Sequence, residues 1–494
     1  MASVPAVTTE LGALVGLAGD GVRRWRGIPY ARPPVGELRW KAPQPLVPSQ
    51  GIHVVTEFGP HALQPPDPAK PDAVCDEDCL YLNVCAPEGP APEGGWPVLF
   101  WLHGGGYRVG HGEQVGEGEE FARAGIVVVT VNYRLGSLGF LYLADLFGEP
   151  DSGVCGLLDQ IAALRWVHRN IAAFGGDPGR VTVYGVSAGA KSVGNLLASP
   201  ESSGLFAQVI SSSGGADHVA TPETGTALAR RLLDEVGCHD LDALRALPGK
   251  EFIEAQERIL DGFRAFWLWR PTLHPRVLPE IPLAAIRRGS AAGVRMLIGC
   301  NSNEGSTYAM MLGEDVAVAP ADEILEGILG EGAERLLETY LQRVPDLTAA
   351  KIAAMGDERY GIPTQKLADA QSAYAAVYRY RIDIAAPGVP VQLDGGHGTE
   401  TTMAWKTPLP LYAQAADVNP ARERAALVIH RCWARFVRDG LADADGPEWP
   451  VYEPETRPVL IFSEDTDLVL DPRSAERKAW GDTDWASGTW FRPF

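Results

Sequence analysis

The stretch that decides the fold is Gly156–Ala190, GLLDQIAALRWVHRNIAAFGGDPGRVTVYGVSAGA. Its first part, Gly156–Phe174, places apolar residues at helical spacing, and the two glycines that follow are typical of a helix end. The run Val181–Tyr184 predicts a short buried strand, and the residues from Ser187 onward predict another helix. A helix, a strand and a helix in close succession are typical of a crossover unit in an α/β protein.

The same alternation continues through the rest of the chain. Strands joined by helices run parallel and are covered on both faces, so the pattern predicts a large, mostly parallel central sheet flanked by helices. Residues 216–390 are richer in helical patterns, and we expect them to form a cap-like helical insertion in a single domain spanning residues 1–494. The other predicted strands lie in WPVLFWL (96–102), Gly125–Asn132, Gln208–Ser212, Arg295–Gly299 and Pro458–Phe462.

Composition and charge exclude several classes of function. The 494-residue chain has 43 Lys and Arg against 63 Asp and Glu, a formal net charge of −20. That sign disfavours binding to nucleic acid or to an anionic membrane surface. The N-terminus lacks the basic start of a signal peptide, and no apolar run of about 20 residues predicts a spanning helix. We therefore expect a cytoplasmic protein, either a monomer or a dimer.

The cysteines predict neither a disulfide framework nor a zinc site. The seven residues are spread over the chain and form no CxxC…CxxC set of the kind that binds zinc. We expect reduced thiols, no metal ion and no other cofactor.

The sharpest chemical signal is Gly185-Val186-Ser187-Ala188-Gly189, which stands between a predicted strand and a predicted helix. A tight strand-to-helix turn needs small residues around the serine, and it lifts the serine hydroxyl clear of the sheet. The helix start also favours a negative charge that develops nearby. Ser187 is therefore a candidate nucleophile, and the alternative is a glycine-rich turn with an idle serine.

A second glycine motif, His103-Gly104-Gly105-Gly106, directly follows the predicted strand VLFWL. Consecutive glycines let backbone N–H groups approach a ligand closely. Together with the N–H of Ala188 they could hold a carbonyl oxygen as it becomes negative, an effect worth about 3–4 kcal/mol per donor in other hydrolases. The alternative is a tight loop that binds nothing.

Long, ordered motifs over nearly the whole chain carry a resemblance to a known family. Besides the stretch quoted first, they are RGIPYA (26–31), EDCLYLNV (77–84), VNYRLGSLGF (131–140) and WPVYEPETRPVLIF (449–462). On these motifs the sequence resembles the type-B carboxylesterases, cholinesterase-like α/β-hydrolases that include bacterial para-nitrobenzyl-esterase-like members. The resemblance implies an α/β-hydrolase fold and hydrolysis of carboxylic esters through an acyl-enzyme.

The resemblance also implies a catalytic triad. Ser187 matches the family's nucleophile, Glu304 in NEGS its acid and His397 in GGHGTE its base, in the chain order that this fold uses. The base would take the serine proton, and the acid would hold the ring in one tautomer. From the residues alone, Glu304 fits a helix cap or a solvent-facing side chain equally well. The histidines that rival His397 are His103, His111, His168 and His430.

Other residues are matched to supporting roles. Gly105, Gly106 and Ala188 match the backbone donors of the oxyanion hole. Ser213 matches a serine that supports the acid by hydrogen bonding, although it also fits a plain loop residue. The resemblance further implies two structural ion pairs, Arg39–Glu77 and Arg134–Asp159.

One departure from the family concerns a disulfide. In secreted members, a disulfide joins the cysteine of EDCLYLN, here Cys79, to an upstream position that falls near Ala62. The partner cysteine is missing, so the loop between the two positions lacks this crosslink.

The substrate pocket is predicted from aromatic and sulfur side chains of the cap. The stretch DGFRAFWLWRP (261–271) crowds four aromatic residues, which form either the core of the cap or a wall for hydrophobic or aromatic acyl groups. Two methionines could line the same cleft. The candidates are Phe263, Phe266, Trp267, Trp269, Met310 and Met311.

The leading hypothesis is a metal-free serine carboxylesterase that acts on small hydrophobic or aromatic esters. The first alternative keeps the triad and changes the bond to a carbamate, an amide or a biosynthetic ester or lactone. The second is a non-catalytic binding protein of the same fold, which the filled triad positions disfavour.

Overall fold

The computed structural model describes residues 4–67, 70–259, 267–387, 389, 394–407, 420–443 and 447–485. The strands of these regions are β1 (Ala6–Thr9), β2 (Gly12–Val15), β3 (Leu17–Gly19), β4 (Val22–Pro29), β5 (Ile52–Val54), β6 (His61–Ala62), β7 (Cys75–Asp76), β8 (Tyr81–Pro87), β9 (Trp96–Leu102), β10 (Val127–Val131), β11 (Gly176–Val186), β12 (Gln208–Ser212), β13 (Arg295–Asn301), β14 (Val377–Ile382), β15 (Pro458–Phe462) and β16 (Asp467–Leu470).

The α-helices of the same regions are α1 (Glu119–Arg123), α2 (Gly136–Phe140), α3 (Ala144–Phe147), α4 (Cys155–Asn170), α5 (Ala188–Ala198), α6 (Pro222–Val236), α7 (Leu241–Ala246), α8 (Gly249–Ile259), α9 (Pro282–Arg287), α10 (Glu304–Leu312), α11 (Glu314–Val318), α12 (Ala321–Leu329), α13 (Gly332–Leu341), α14 (Leu347–Gly356), α15 (Ile362–Ser372), α16 (Thr399–Trp405), α17 (Pro420–Asp439) and α18 (Ser474–Trp480). Short 3-10 turns span Gly36–Leu38, Ile171–Phe174 and Pro200–Ser202, and a π-helical turn spans Asp357–Gly361.

Eleven of the described strands form a central sheet in the order β16-β15-β14-β13-β12-β11-β9-β10-β8-β4-β3. The strands from β15 through β10 in this order pair in parallel, whereas the pairs at both edges are antiparallel. The prediction of a large, mostly parallel sheet is confirmed. The strand β11 lies in the middle of the sheet, between β9 and β12.

The sheet is buried on both faces. Phe100 and Val183 lie in one hydrophobic cluster, whereas their chain neighbours Trp101 and Tyr184 lie in another with Trp405. Successive side chains of a strand point to opposite faces, so the two clusters fill the space on opposite sides of the sheet. Continuous apolar runs are therefore required in these central strands, which explains why the sequence reveals them.

The predicted helical insertion over residues 216–390 is wrong in its extent. Two strands of the central sheet, β13 and β14, lie inside this range, so its helices form two separate groups. The groups are α6–α9 before β13 and α10–α15 between β13 and β14. The sequence of β14, VYRYRI, gives no continuous apolar signal because it contains Arg379 and Arg381. The guanidinium group of Arg379 donates to Gln365 on α15, and that of Arg381 donates to Asp383, which directly follows the strand.

Both predicted ion pairs are present and hold the loops around the sheet. Arg134 donates to both carboxylate oxygens of Asp159, from Nε at 2.8 Å and from Nη2 at 2.7 Å, and both side chains are buried. Arg39 donates from Nε to Glu77 Oε2 at 2.7 Å. In the described part of the chain, no helix combines the length and the apolar character needed to cross a bilayer.

Candidate active site

The candidate site residues lie where neighbouring parallel strands end. The HGGG motif follows β9, Ser187 follows β11, and Ser213 follows β12. Glu304 comes three residues after the end of β13. Because the carboxyl ends of parallel strands meet at one edge of a sheet, the topology collects these side chains although they are far apart in the chain.

Ser187 occupies the strained turn that its motif predicts. Its backbone has φ 56° and ψ −121° as α5 begins, a conformation that L-residues rarely adopt. A Cβ at Gly185 would lie 2.2 Å from Gly189 O, and one at Gly189 would lie 2.1 Å from Leu102 O. These contacts confirm the prediction that the turn needs small residues on both sides of the serine.

Glu304 and His397 form a tightly held pair. The ring Nδ1 of His397 lies 2.5 Å from Glu304 Oε2. The other carboxylate oxygen, Oε1, accepts from Ser213 Oγ at 2.5 Å and from Asn301 N at 2.7 Å. Glu304 is buried, so it is not the solvent-facing side chain that the sequence left open. The donors on Oε1 orient the carboxylate so that Oε2 faces the ring.

The rival histidines lie elsewhere. His103 is fully buried and stacks on Tyr133, and its ring contacts Gly104 O. His168 is exposed on α4, and His430 contacts Ala404 O through Nδ1. The remaining rival, His111, faces Glu113 rather than Glu304.

Tyr360 links Ser187 to His397 and was missed by the sequence analysis. Its ring stacks on the His397 ring, with centroids 4.4 Å apart and an interplanar angle of 24°. Its hydroxyl lies near the Ser187 side chain and shares a 2.5 Å hydrogen bond with the hydroxyl of Tyr308. Among the described residues, no hydrogen bond joins Ser187 Oγ to His397. Catalytic hydrogen bonds of this kind often tighten only when substrate binds.

The π-helical turn that aims Tyr360 has an identifiable cause. Pro363 lacks the N–H that would bond to the carbonyl of Arg359 four residues earlier, and its ring crowds that carbonyl. The freed oxygen accepts instead from Lys191 Nζ at 2.9 Å, and the same ammonium group donates to Asp217 at 2.8 Å. The helix thus widens by one residue beside Ser187, as π-turns often do at functional sites.

The predicted oxyanion donors are available. Gly105 and Gly106 have φ of 105° and 65°, which turns their peptide groups out of the regular extended conformation of β9. In the regions that the structure describes, the N–H groups of Gly105, Gly106 and Ala188 donate to no protein acceptor. Three free donors next to Ser187 could stabilise a negative oxygen.

The pocket candidates divide into four groups. Trp267 packs edge-on against Tyr308, with centroids 5.0 Å apart, and so lies near His397. Trp269 is buried in the main core, as the core alternative predicts. Met310 and Met311 are 48% and 56% exposed on α10, so the structure does not support a place for them in the cleft. Phe263 and Phe266 lie outside the described residues.

Comparison with known proteins settles the family. The model of the carboxylesterase family matches residues 3–480. The chain belongs to the carboxylesterase family. It is 36% identical to the para-nitrobenzyl esterase of Bacillus subtilis (strain 168) over 96% of this chain and 97% of that protein. It is 32% identical to the phenmedipham hydrolase of Pseudarthrobacter oxydans over 94% and 96%.

Solved structures confirm the α/β-hydrolase fold of this carboxylesterase. A para-nitrobenzyl esterase structure superposes with a TM-score of 0.85 at 34% identity, covering 97% of this chain and all of the other. A carboxylesterase of Geobacillus stearothermophilus gives a TM-score of 0.85 at 36% identity, covering 96% and 99%. The protein is therefore a carboxylic-ester hydrolase of the serine carboxylesterase type.

Substitution of Gly105 tests the oxyanion donors of this carboxylesterase. A Cβ at this position would lie 2.0 Å from Val109 O and would require a left-handed conformation. The peptide must therefore move, and we expect Gly105→Ala to lower kcat by about 10²- to 10³-fold, the loss typical of one missing donor. The matched control is Gly204→Ala, because Gly204 also has a positive φ but open space around it. An unchanged kcat in Gly105→Ala would exclude this peptide as a donor.

A second buried carboxyl group, that of Glu400, lies near the Glu304–His397 pair and bonds to the same Asn301 side chain as Glu304. Glu400 is fully buried in the first turn of α16 and accepts from Asn301 Nδ2 at 2.8 Å. Burial, followed by repulsion from Glu304, raises the pKa of Glu400 to about 7. The folded protein therefore holds a proton on Glu400 at pH values where the unfolded chain has released it.

This shift predicts a pH dependence of stability. Between the ordinary pKa of 4.5 and about pH 7, only the folded state binds the proton, so the free energy of unfolding decreases as pH rises, by about 3 kcal/mol in total. Glu400→Gln mimics the protonated form and should remove this component. We expect the variant to gain stability relative to the wild type between pH 5 and pH 8, measured by urea unfolding. Parallel pH curves for the two proteins would contradict the shift.

Proposed function

We propose that this carboxylesterase hydrolyses small hydrophobic or aromatic carboxylic esters, with Ser187, His397 and Glu304 as its triad. The observation that carries the proposal is the 2.5 Å contact between His397 and a buried Glu304, beside a serine in a strained strand-to-helix turn. The free N–H groups of Gly105, Gly106 and Ala188 complete the set that acyl transfer requires.

In the proposed mechanism each group has its own step. Ser187 Oγ attacks the ester carbonyl carbon, and His397 Nε2 takes the hydroxyl proton. The carbonyl oxygen becomes negative and accepts from the N–H groups of Gly105, Gly106 and Ala188. When the intermediate collapses, His397 returns the proton to the departing alcohol, leaving an acyl-enzyme.

Water completes the cycle by the same route. His397 takes a proton from water, the hydroxide attacks the acyl carbon, and the proton returns to Ser187 as the acid leaves. Throughout, Glu304 Oε2 accepts from Nδ1–H, which keeps Nε2 free to accept a proton and stabilises the imidazolium.

Aromatic side chains around His397 support the substrate class. Tyr360 and Tyr308 have their ring centroids 4.4 and 5.4 Å from that of His397, and Trp267 packs behind Tyr308. Such walls suit apolar or aromatic acyl groups. Relatives of similar identity are named for different substrates, among them fumonisin B1 and phenmedipham. Family membership alone therefore does not select the substrate.

A burst experiment tests the proposal. Rapid mixing with p-nitrophenyl acetate and p-nitrophenyl benzoate should release one equivalent of p-nitrophenol per enzyme before steady turnover. An organophosphate should add its mass to the peptide that contains Ser187. The matching anilides and carbamates should have lower kcat/KM than the esters, and a reversed order would favour the alternative bond. A protein without burst or label would contradict the acyl-enzyme.

A further inference from the structure

Three potential metal ligands from two distant segments meet about one point outside the triad. They are His61 on β6, and His111 and Glu113 in the loop after the HGGG motif. Their ligand atoms all lie within 4.8 Å of one another. The two imidazole rings stack with centroids 4.1 Å apart and an interplanar angle of 3°. Both rings present a nitrogen to the same carboxylate oxygen, since His61 Nε2 and His111 Nδ1 both face Glu113 Oε1.

The backbone on both sides of the cluster is fixed. Asn132 accepts from Gly112 N at 2.7 Å and donates to Pro60 O at 3.0 Å. Its side-chain amide therefore fixes the distance between two backbone positions. These are Gly112, between His111 and Glu113, and Pro60, before His61. Gln64 adds a reciprocal pair of hydrogen bonds with the backbone of Gly110, at 2.9 and 3.0 Å. The three candidate side chains are thus held together without a bound metal ion.

One nitrogen of the cluster has no hydrogen bond. His111 is 7% exposed, and its Nδ1 lies 3.2 Å from Glu113 Oε1 without a partner of suitable geometry among the described residues. A buried polar atom without a hydrogen bond is costly and calls for an explanation. A cation between the two imidazoles and the carboxylate would satisfy it.

We propose that His61, His111 and Glu113 form a zinc site, with His61 Nε2, His111 Nδ1 and a Glu113 oxygen as protein ligands and water in the fourth position. Two imidazoles and one carboxylate are a donor set that Zn²⁺ prefers. The ligand atoms, all within 4.8 Å of one another, reach zinc–ligand distances of about 2.0–2.2 Å once the two parallel rings tilt so that both nitrogens point at one position. Neither the family resemblance nor the triad requires this site, and it departs from the sequence-based expectation of no metal.

Neighbouring groups support the ligand roles. Cys75 is paired with His61 in the β6–β7 ribbon, and its thiol lies close to the imidazole, where outer partners of metal-binding histidines stand. Lys70 Nζ lies 3.1 Å from His111 Nε2. When Nδ1 binds zinc, Nε2 carries the proton, so this lysine must turn away. Lys70 is exposed, so it can do so at little cost.

The site would replace the missing crosslink of the loop. The family's disulfide would join Cys79 to the position of Ala62, next to His61. A zinc ion bound by His61 and His111 would instead fasten the β6–β7 ribbon to the loop that follows Gly105 and Gly106. The role is therefore structural, and the triad operates without the metal.

Calorimetric titration of the chelator-treated, full-length protein with ZnCl₂ tests the proposal. We expect one equivalent to bind with a Kd of about 1 μM or lower, and Zn²⁺ to raise the Tm. Co²⁺ should give the visible bands of a tetrahedral site. Both His61→Ala and His111→Ala should weaken Zn²⁺ binding at least about 100-fold, and Lys70→Ala should strengthen it.

The control is His239→Ala, which removes an exposed histidine and should leave Zn²⁺ binding unchanged. If the histidine variants do not fold, Glu113→Gln keeps the side-chain size and removes the anionic ligand, and it should still weaken binding at least about tenfold. No saturable binding, or equal binding by wild type and by every ligand variant that folds, would overturn the site. The burst amplitude with p-nitrophenyl acetate is measured on the same samples, so a failed metal site is distinguished from a failed triad.

Discussion

Ser187→Ala should lower kcat for p-nitrophenyl esters by about a million-fold, the loss seen when a serine hydrolase loses its nucleophile. Without Oγ no acyl-enzyme forms, so the burst of p-nitrophenol and the organophosphate label should both disappear. The methyl group of alanine occupies the space of the hydroxymethyl group of serine, so the packing around position 187 is kept. The Tm should therefore change little. Stopped-flow kinetics, intact-protein mass spectrometry and thermal unfolding measure the three effects.

The matched control is Ser203→Ala, the same substitution at an exposed serine after the turn Pro200–Ser202. It should retain the wild-type kcat and one equivalent of label. A Ser187→Ala protein that turns over at the wild-type rate would exclude Ser187 as the nucleophile. A large fall in Tm would instead show that the lost activity reflects unfolding.

Glu304→Gln should lower kcat by about 10⁴-fold while the protein stays folded. Ser213 Oγ and Asn301 N both donate to Oε1, so the amide oxygen of the glutamine takes that position. The amide NH₂ group then faces His397 Nδ1, which must accept a hydrogen bond and loses its proton. The proton moves to Nε2, and a ring in that tautomer cannot take the proton of Ser187. The effect should appear in kcat rather than in KM.

Glu400→Gln is the control for Glu304→Gln, because it makes the same change in a buried carboxyl bonded to the same Asn301 side chain. Glu400 has no hydrogen bond to His397 among the described residues, so kcat should fall less than about tenfold. Equal losses in the two variants would show that the whole carboxyl cluster, rather than the tautomer of His397, sets the rate.

The sequence predicts those elements whose apolar residues are largely buried. Pro458–Phe462 and Gln208–Ser212 form strands with the predicted bounds. The predicted helix Gly156–Phe174 is observed as α4 followed by a 3-10 turn. The two strands are buried along their whole length and therefore require continuous apolar runs. The helix buries one face and therefore shows helical periodicity.

Features that depend on polar side chains or on irregular backbone cannot be predicted from apolar patterns. The strand β14 alternates tyrosine with arginine because its polar positions lie near solvent and bond to neighbouring elements. Tyr360 gains its position from a π-turn that depends on Pro363 and Lys191, residues with no pattern in common. His61 and Glu113 are 52 residues apart, and only the tertiary fold shows that they meet.

The π-turn Asp357–Gly361 also bears on how substrate preference can change during evolution. Deleting one residue there would restore regular α-helical spacing between α14 and α15. The side chains on one end of the helix would rotate by about 100° relative to the other, carrying the ring at 360 away from the imidazole. A single codon loss would therefore displace the ring beside His397 together with every other side chain on that end of the helix, whereas a point substitution alters one side chain.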